Sequence, residues 1–138
     1  MNNNQSGYKL DGLVLLESNF KRILEVHNID ASTNQEINID VKNAPIENGK
    51  PLLSGIVLKY IQKYQDIIEI ESQIEYAGIF TKDGDTSLTD DQFLNFHAPA
   101  IIFPFIREHL ASLSLKAGLA PILLSPVNFY TLNPKKDI

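Results

Sequence analysis

The chain has 138 residues, the length of one domain, and its 43% hydrophobic and 21% charged residues are ordinary for a globular protein. A net charge of −5 disfavours nucleic acid and anionic membrane surfaces, which both require a cationic face. With no cysteine there is no disulfide, no cysteine-based zinc site and no thiol catalysis.

The opening MNNNQSGYKL is polar and lacks the apolar core of a signal peptide, and no run reaches membrane-spanning length. The expected location is cytoplasmic. Residues 1–7 are expected to be disordered, 8–133 to form a single domain, and 134–138 to be a tail. From Tyr8 to His27 the apolar residues follow strand parity, with Leu10, Gly12, Val14 and Leu16 on one face and a bulge expected near Ser18–Asn19. Asn28 to Asn34 is rich in residues that bond their own backbone and reads as a turn. Glu36 to Lys42 alternates cleanly, with Ile37, Ile39 and Val41 on the buried side. Pro45, Asn48-Gly49 and Pro51 mark a loop.

Ser54 to Tyr64 and Ile67 to Phe80 are two long strands separated by Gln65-Asp66, the pattern of an antiparallel hairpin. Lys59 and Lys63 on one and Glu69, Glu71 and Glu75 on the other are expected to form cross-strand charge pairs if the polar faces coincide. After the loop Lys82 to Leu88, Thr89 with Gln92 three residues on is a capping box, so a short helix starts there. Asp90 and Asp91 suit its positive end.

Pro99 should end that helix and sit in the first turn of another, which Pro104 should kink or tighten. The spacing of Ile102, Phe105, Ile106, Leu110 and Leu113 then makes one apolar face, and Gly118 is a C-terminal cap. Leu119 to Val127 is almost wholly apolar, yet Pro121 and Pro126 forbid helix and restrict strand pairing. Such a segment either closes over the core or faces a partner. One helix on a long sheet leaves apolar surface for an oligomer interface, a client groove, or both.

Catalytic and metal signatures are absent. His27, His97 and His109 show no metal-ligand spacing. Glu108-His109 are helix neighbours that point apart. Asp83-Gly84-Asp85 lacks the order and closing glutamate of a calcium loop. No nucleophile elbow or phosphate-binding glycine loop occurs. Neither an enzyme nor a cofactor is expected.

The motif Phe103-Pro104-Phe105-x-Arg107-Glu108, then Gly118, Pro121 and Leu124-x-Pro126-Val127-Asn128-Phe129, resembles the C-terminal signature of the SecB export-chaperone family. Gly78-Ile79-Phe80 resembles the segment that precedes the family's helices. The resemblance is specific from about Ile74 to Phe129. It implies an α+β fold, a four-stranded antiparallel sheet with a short and a long helix packed on one side. It also implies an ATP-independent holdase, without cofactor, that binds unfolded preproteins and assembles as a homotetramer, a dimer of dimers.

On that resemblance, client contacts fall to Ile79, Phe80, Leu119, Ile122, Leu123, Leu124, Val127, Phe129 and Tyr130. The oligomer interface falls to Phe103, Phe105, Ile106, Leu110 and Leu113. Glu17 matches the acidic surface that docks the translocase motor ATPase, whereas Lys21 and Gln73 stand where acidic residues are expected. The family usually adds a helix that lids the groove; with the sequence ending at Ile138 no such helix, and a more open groove, is expected. A dedicated partner such as an antitoxin is the alternative client.

Overall fold

The computed structural model describes residues 7–132. Its core follows from parity on the two central strands. In β3 (Leu52–Tyr64) and β4 (Ile67–Lys82), Leu58 lies opposite Ile74 and Ile56 opposite Tyr76, so the even positions share a face. Ile56, Leu58, Tyr60, Ile70, Ile74 and Phe80 are buried there. Burying each such side chain stabilises the fold by roughly 1.5–3 kcal/mol. With β1 (Tyr8–Arg22) and β2 (Thr33–Asn43) the sheet has the order β1-β4-β3-β2, with every neighbouring pair antiparallel.

The helical run covers one face of this sheet. It comprises α1 (Asp90–Gln92), a π turn over Phe93–His97, and α2 (Ala98–Lys116); α3 (Phe129–Leu132) follows the crossover segment. Phe93, Leu94, Ile102, Phe103, Ile106 and Leu110 meet the sheet in one core. The capping box is present: Thr89 Oγ1 accepts from Gln92 N–H at 3.1 Å, and Gln92 Oε1 accepts from Thr89 N–H at 2.9 Å. At the other end of the fold's first strand, Tyr8 stacks on Phe93 and its hydroxyl donates to Asp90 at 2.7 Å. Burial and that carboxylate push the phenol up to about 12.

Several expectations change. Strand β1 ends at Arg22 rather than His27. The Arg22 guanidinium donates to the carbonyls of Ile23, Leu24 and Ala117 and draws the following chain toward the end of α2. The bulges of β1 lie at Asp11 and Leu16, where the register against β4 slips, not at Ser18–Asn19. Gly7, expected to be disordered, is buried and accepts from Asp83 N–H at 2.6 Å. The disorder expected of residues 1–6 and the tail at 134–138 lie outside the described residues.

The charge ladder between β3 and β4 is also replaced. Lys59 faces Gln73 and Ile61 faces Glu71, while Lys63 reaches Glu36 at 3.3 Å and Lys42 reaches Glu75 at 3.6 Å. Both cations find carboxylates through the β2 side of the sheet. Glu69 is not on the polar face. It is the extra residue where the register steps from Gln62↔Ile70 to Lys63↔Ile68, and it is buried.

The short and long helices run on as one helical stretch. The π turn is how Pro99 is accommodated. Ala98 N–H bonds the Phe93 carbonyl, five residues back, and Pro99 has no N–H to offer. The Leu94 carbonyl is left over inside the helix and accepts Asn43 Nδ2 at 3.2 Å. Asn43→Ala removes that donor from a half-buried helix-to-sheet tie. We expect a loss of about 1–3 kcal/mol, read as a lower urea midpoint with unchanged slope.

Candidate functional site

The crossover segment Leu119–Val127 is held by its own ends. Helix α2 closes with Gly118 at φ +79, a backbone angle that favours glycine. Leu119 N–H then bonds the Ser114 carbonyl at 2.9 Å and Gly118 N–H the Leu115 carbonyl at 3.0 Å, a Schellman closure. Ser114 is fully buried; its hydroxyl donates to Leu110 O and accepts from Ile122 N–H at 3.3 Å. This pins Ile122 into the core and turns Leu123 outward, where it is 78% exposed.

Facing it runs the segment from Ile23 to Asp30. It is clamped by the buried Glu69, which accepts from the backbone N–H of His27 at 2.9 Å and from His27 Nδ1 at 2.6 Å. The imidazole stacks flat on Tyr64 at 3.6 Å. Burial alone would raise the Glu69 carboxyl; the two bonds and the charge of His27 outweigh it and hold the group below its ordinary 4.5.

The sign of the pH effect follows. Above 4.5 the carboxylate is ionised in both folded and unfolded chains, and its stabilising effect is complete. As the pH falls, the unfolded chain takes up the proton first, and the effect is lost down through the lower folded value. Glu69→Gln is expected to lower the urea midpoint at pH 7 and to flatten its decline below about pH 4.5, measured by denaturation at a series of pH values.

Between these walls lies a groove. One cavity of about 390 Å³ is lined by Val26, His27, Asn28, Ile29, Gln35, Gln62, Ile70 and residues 119–123. A second, of about 270 Å³, is lined by Gln35, Ile37, Ile39, Phe103 and residues 123–127. Gln35 and Leu123 border both, so the two make one trough along β2, whose outer edge has no strand paired to it among the described residues. Its lining is largely apolar, with polar groups at Gln35 and Gln62, which meet at the Tyr60 hydroxyl. Burial raises the Tyr60 phenol against the opposing hydrogen bond from Gln35.

The sequence-assigned client residues divide. Leu119, Ile122, Leu123, Leu124 and Val127 line the trough. Phe129 is buried edge-on against Phe103, and Tyr130 stacks on Phe96 with its hydroxyl 3.1 Å from His97 Nε2. Both lie outside the cavity linings. Phe80 is enclosed in the core against Phe93. Ile79, register partner of Gly12 and Leu53, lies on the opposite face of the sheet.

The residues assigned to an oligomer interface divide too. Phe103, Ile106 and Leu110 are buried in the chain's own core, and Leu113 is half-buried against it. Only Phe105 is well exposed, at 42%; Ile101 on α2 and Val14, Leu15 and Leu16 on β1 are exposed as well. Glu17 lies on the open sheet face, where Gln73 and Asn19 donate to it. The three histidines do not converge: His27 meets Glu69, His97 meets Tyr130 and His109 meets Ser18. Among the described residues no group of three His, Asp or Glu side chains could hold a metal, and no helix is long and apolar enough to cross a membrane.

Val26, Ile29, Gln35, Gln62 and the His27–Glu69 clamp join the site without a motif to mark them. Glu69 carries no such mark, since Ile68-Glu69-Ile70-Glu71 alternates regularly and the extra residue shows only in the pairing with β3.

A four-stranded antiparallel sheet backed by one long helix, with a crossover segment walling a trough, is the SecB-like chaperone fold. The Mycobacterium tuberculosis Rv1957 SecB-like chaperone, solved with a ChAD peptide from the Rv1956 HigA1 antitoxin, superposes with a TM-score of 0.64 at 14% identity, over 87% of this chain and 90% of that one. The model of the family described as preprotein translocase subunit SecB matches residues 17–137, and the chain belongs to the SecB family, one of chaperones and not of enzymes.

Among curated relatives, the protein-export protein SecB of Rickettsia massiliae is 34% identical over 72% of this chain and 64% of its own length. That of Rickettsia africae is 37% identical over 54% and 47%. The matches thus span about half to two thirds of those relatives.

Proposed function

We propose that this chain is an ATP-independent holdase that captures extended, unfolded polypeptide segments in the trough, in the cytoplasm, for protein export. The observation that carries the reading is the continuity of the two cavities past Leu123, an exposed leucine held outward by the Ser114 anchor. An adaptable aliphatic wall beside an unpaired strand edge suits many sequences in extended form. Family membership supports export as the purpose. The antitoxin peptide bound by Rv1957 favours one alternative, a dedicated partner segment in the same trough.

The working state in this reading is a homo-oligomer, a tetramer built as a dimer of dimers. Ile101 and Phe105 with the β1 edge at Val14, Leu15 and Leu16 supply its contacts. The open sheet face sets Glu17, Glu71 and Glu75 beside Lys21, Lys42 and Lys59, a balance that gives Glu17 no support as a docking point for a motor ATPase.

The test is suppression of aggregation of a chemically unfolded client. Saturable protection without nucleotide supports the holdase, and none at any ratio overturns it. Protection of a single partner alone selects the dedicated reading. A monomer mass by light scattering would overturn the assembly.

A further inference from the structure

The floor of the trough holds polar groups that apolar capture does not use. Gln35 and Gln62 are direct cross-strand partners, so their side chains leave the sheet side by side. Both bond the Tyr60 hydroxyl. Gln35 Nε2 donates to it at 2.7 Å, and it donates to Gln62 Oε1 at 2.7 Å. A hydroxyl has one proton, so the relay has a direction. Gln35 Oε1 and Gln62 Nε2 are left without a partner among the described residues. Reversing the relay exchanges the two roles and still leaves one acceptor and one donor. Gln62 is only 3% exposed, and both glutamines line the larger cavity beside Val26, Ile70 and Ile122. A segment seated in the trough would cut both ends off from water, and covering them unbonded costs free energy.

We infer that this donor–acceptor pair recognises the carboxamide of an asparagine or glutamine side chain on the captured segment, an inference that rests on the client-groove reading above. A carboxamide presents one carbonyl and one N–H in a single plane, the complement of the free ends of Gln35 and Gln62. A carboxylate has no donor and would set its oxygens against the free acceptor. An aliphatic side chain leaves both groups unmade. A backbone peptide unit has the same chemistry, but a strand laid along the trough runs across its mouth, and Gln62 lies at the floor. A side chain is what reaches it. The favoured segment is extended, with Asn or Gln over Gln35 and apolar neighbours on either side, one in each cavity.

The test uses the full chain and fluorescent peptides of pattern Leu-Ser-X-Ser-Leu flanked by lysines, with X as Gln, Glu or Leu. The Gln peptide is expected to bind about tenfold more tightly than either other, the effect of one hydrogen bond made rather than left open. Gln35→Met, at an exposed position, and Gln62→Met should each flatten the series while the Leu peptide still binds. Equal affinities for all three peptides overturn the carboxamide inference and leave the groove standing. A Gln preference abolished by N-methylation of the central backbone would assign the contact to the main chain and overturn it as well. Failure of every peptide to bind overturns the groove reading itself.

Discussion

Leu123→Asp is expected to leave the protein folded and to weaken client capture at least about tenfold. The side chain is 78% exposed, so its loss changes folding stability by no more than about 0.5 kcal/mol. In the captured state the same leucine borders both cavities. Losing that contact removes roughly 1.5–3 kcal/mol, and a carboxylate there must be desolvated against the bound segment. The measurement pairs a urea midpoint with a client-protection titration on one preparation. Unchanged protection in a folded variant would remove Leu123 from the site.

Phe129 provides the contrast, because it belongs to the same sequence motif and is buried. Phe129→Ala should cost about 3–5 kcal/mol of stability, as an aromatic ring is lost from contact with Phe103. Any loss of capture there follows unfolding and carries no information about the groove.

Gly78→Val is expected to be the most damaging small substitution in the sheet. Gly78 lies in β4 directly under α2. A Cβ there would stand 2.8 Å from the Phe80 ring and 3.0 Å from Ile102 Cδ1. Neither neighbour can withdraw, since Phe80 and Ile102 are both fully buried. Alanine should cost about 1–3 kcal/mol by overpacking, and valine more. If the close approach is the cause, Ile102→Val should recover part of the loss in the Gly78→Ala background, a coupling measurable as a double-mutant cycle. Strict additivity would assign the cost elsewhere. The glycine of the Gly78-Ile79-Phe80 segment is thus a spacing device between sheet and helix, and of its two apolar neighbours one enters the core and the other the opposite face.

The strands and the capping box were readable because each rests on local chemistry. Period-two alternation in Ile37–Val41 and Ser54–Tyr64 states which residues share a face, and Thr89 with Gln92 close their own turn. Gly118 was legible for the same reason, since a positive φ is a property of one residue. Proline at position 99 signals only its local effect, a helix stop. The outcome turns on Asn43, fifty-one residues before Leu94, whose amide takes up the Leu94 carbonyl that the π turn leaves over.

The groove shows the same division between local and distant causes. That Leu119–Val127 is apolar and irregular follows from its composition and its two prolines, and family membership follows from the motif around it. Which of its leucines faces outward does not, because Ile122 is drawn inward by Ser114 from the preceding helix. The opposite wall depends on Glu69 meeting His27 across 42 residues, and a one-residue step in strand register is what aims that carboxylate. Alternation and caps are properties of neighbours in the chain, whereas burial and pairing depend on registers between strands that approach only when the sheet closes.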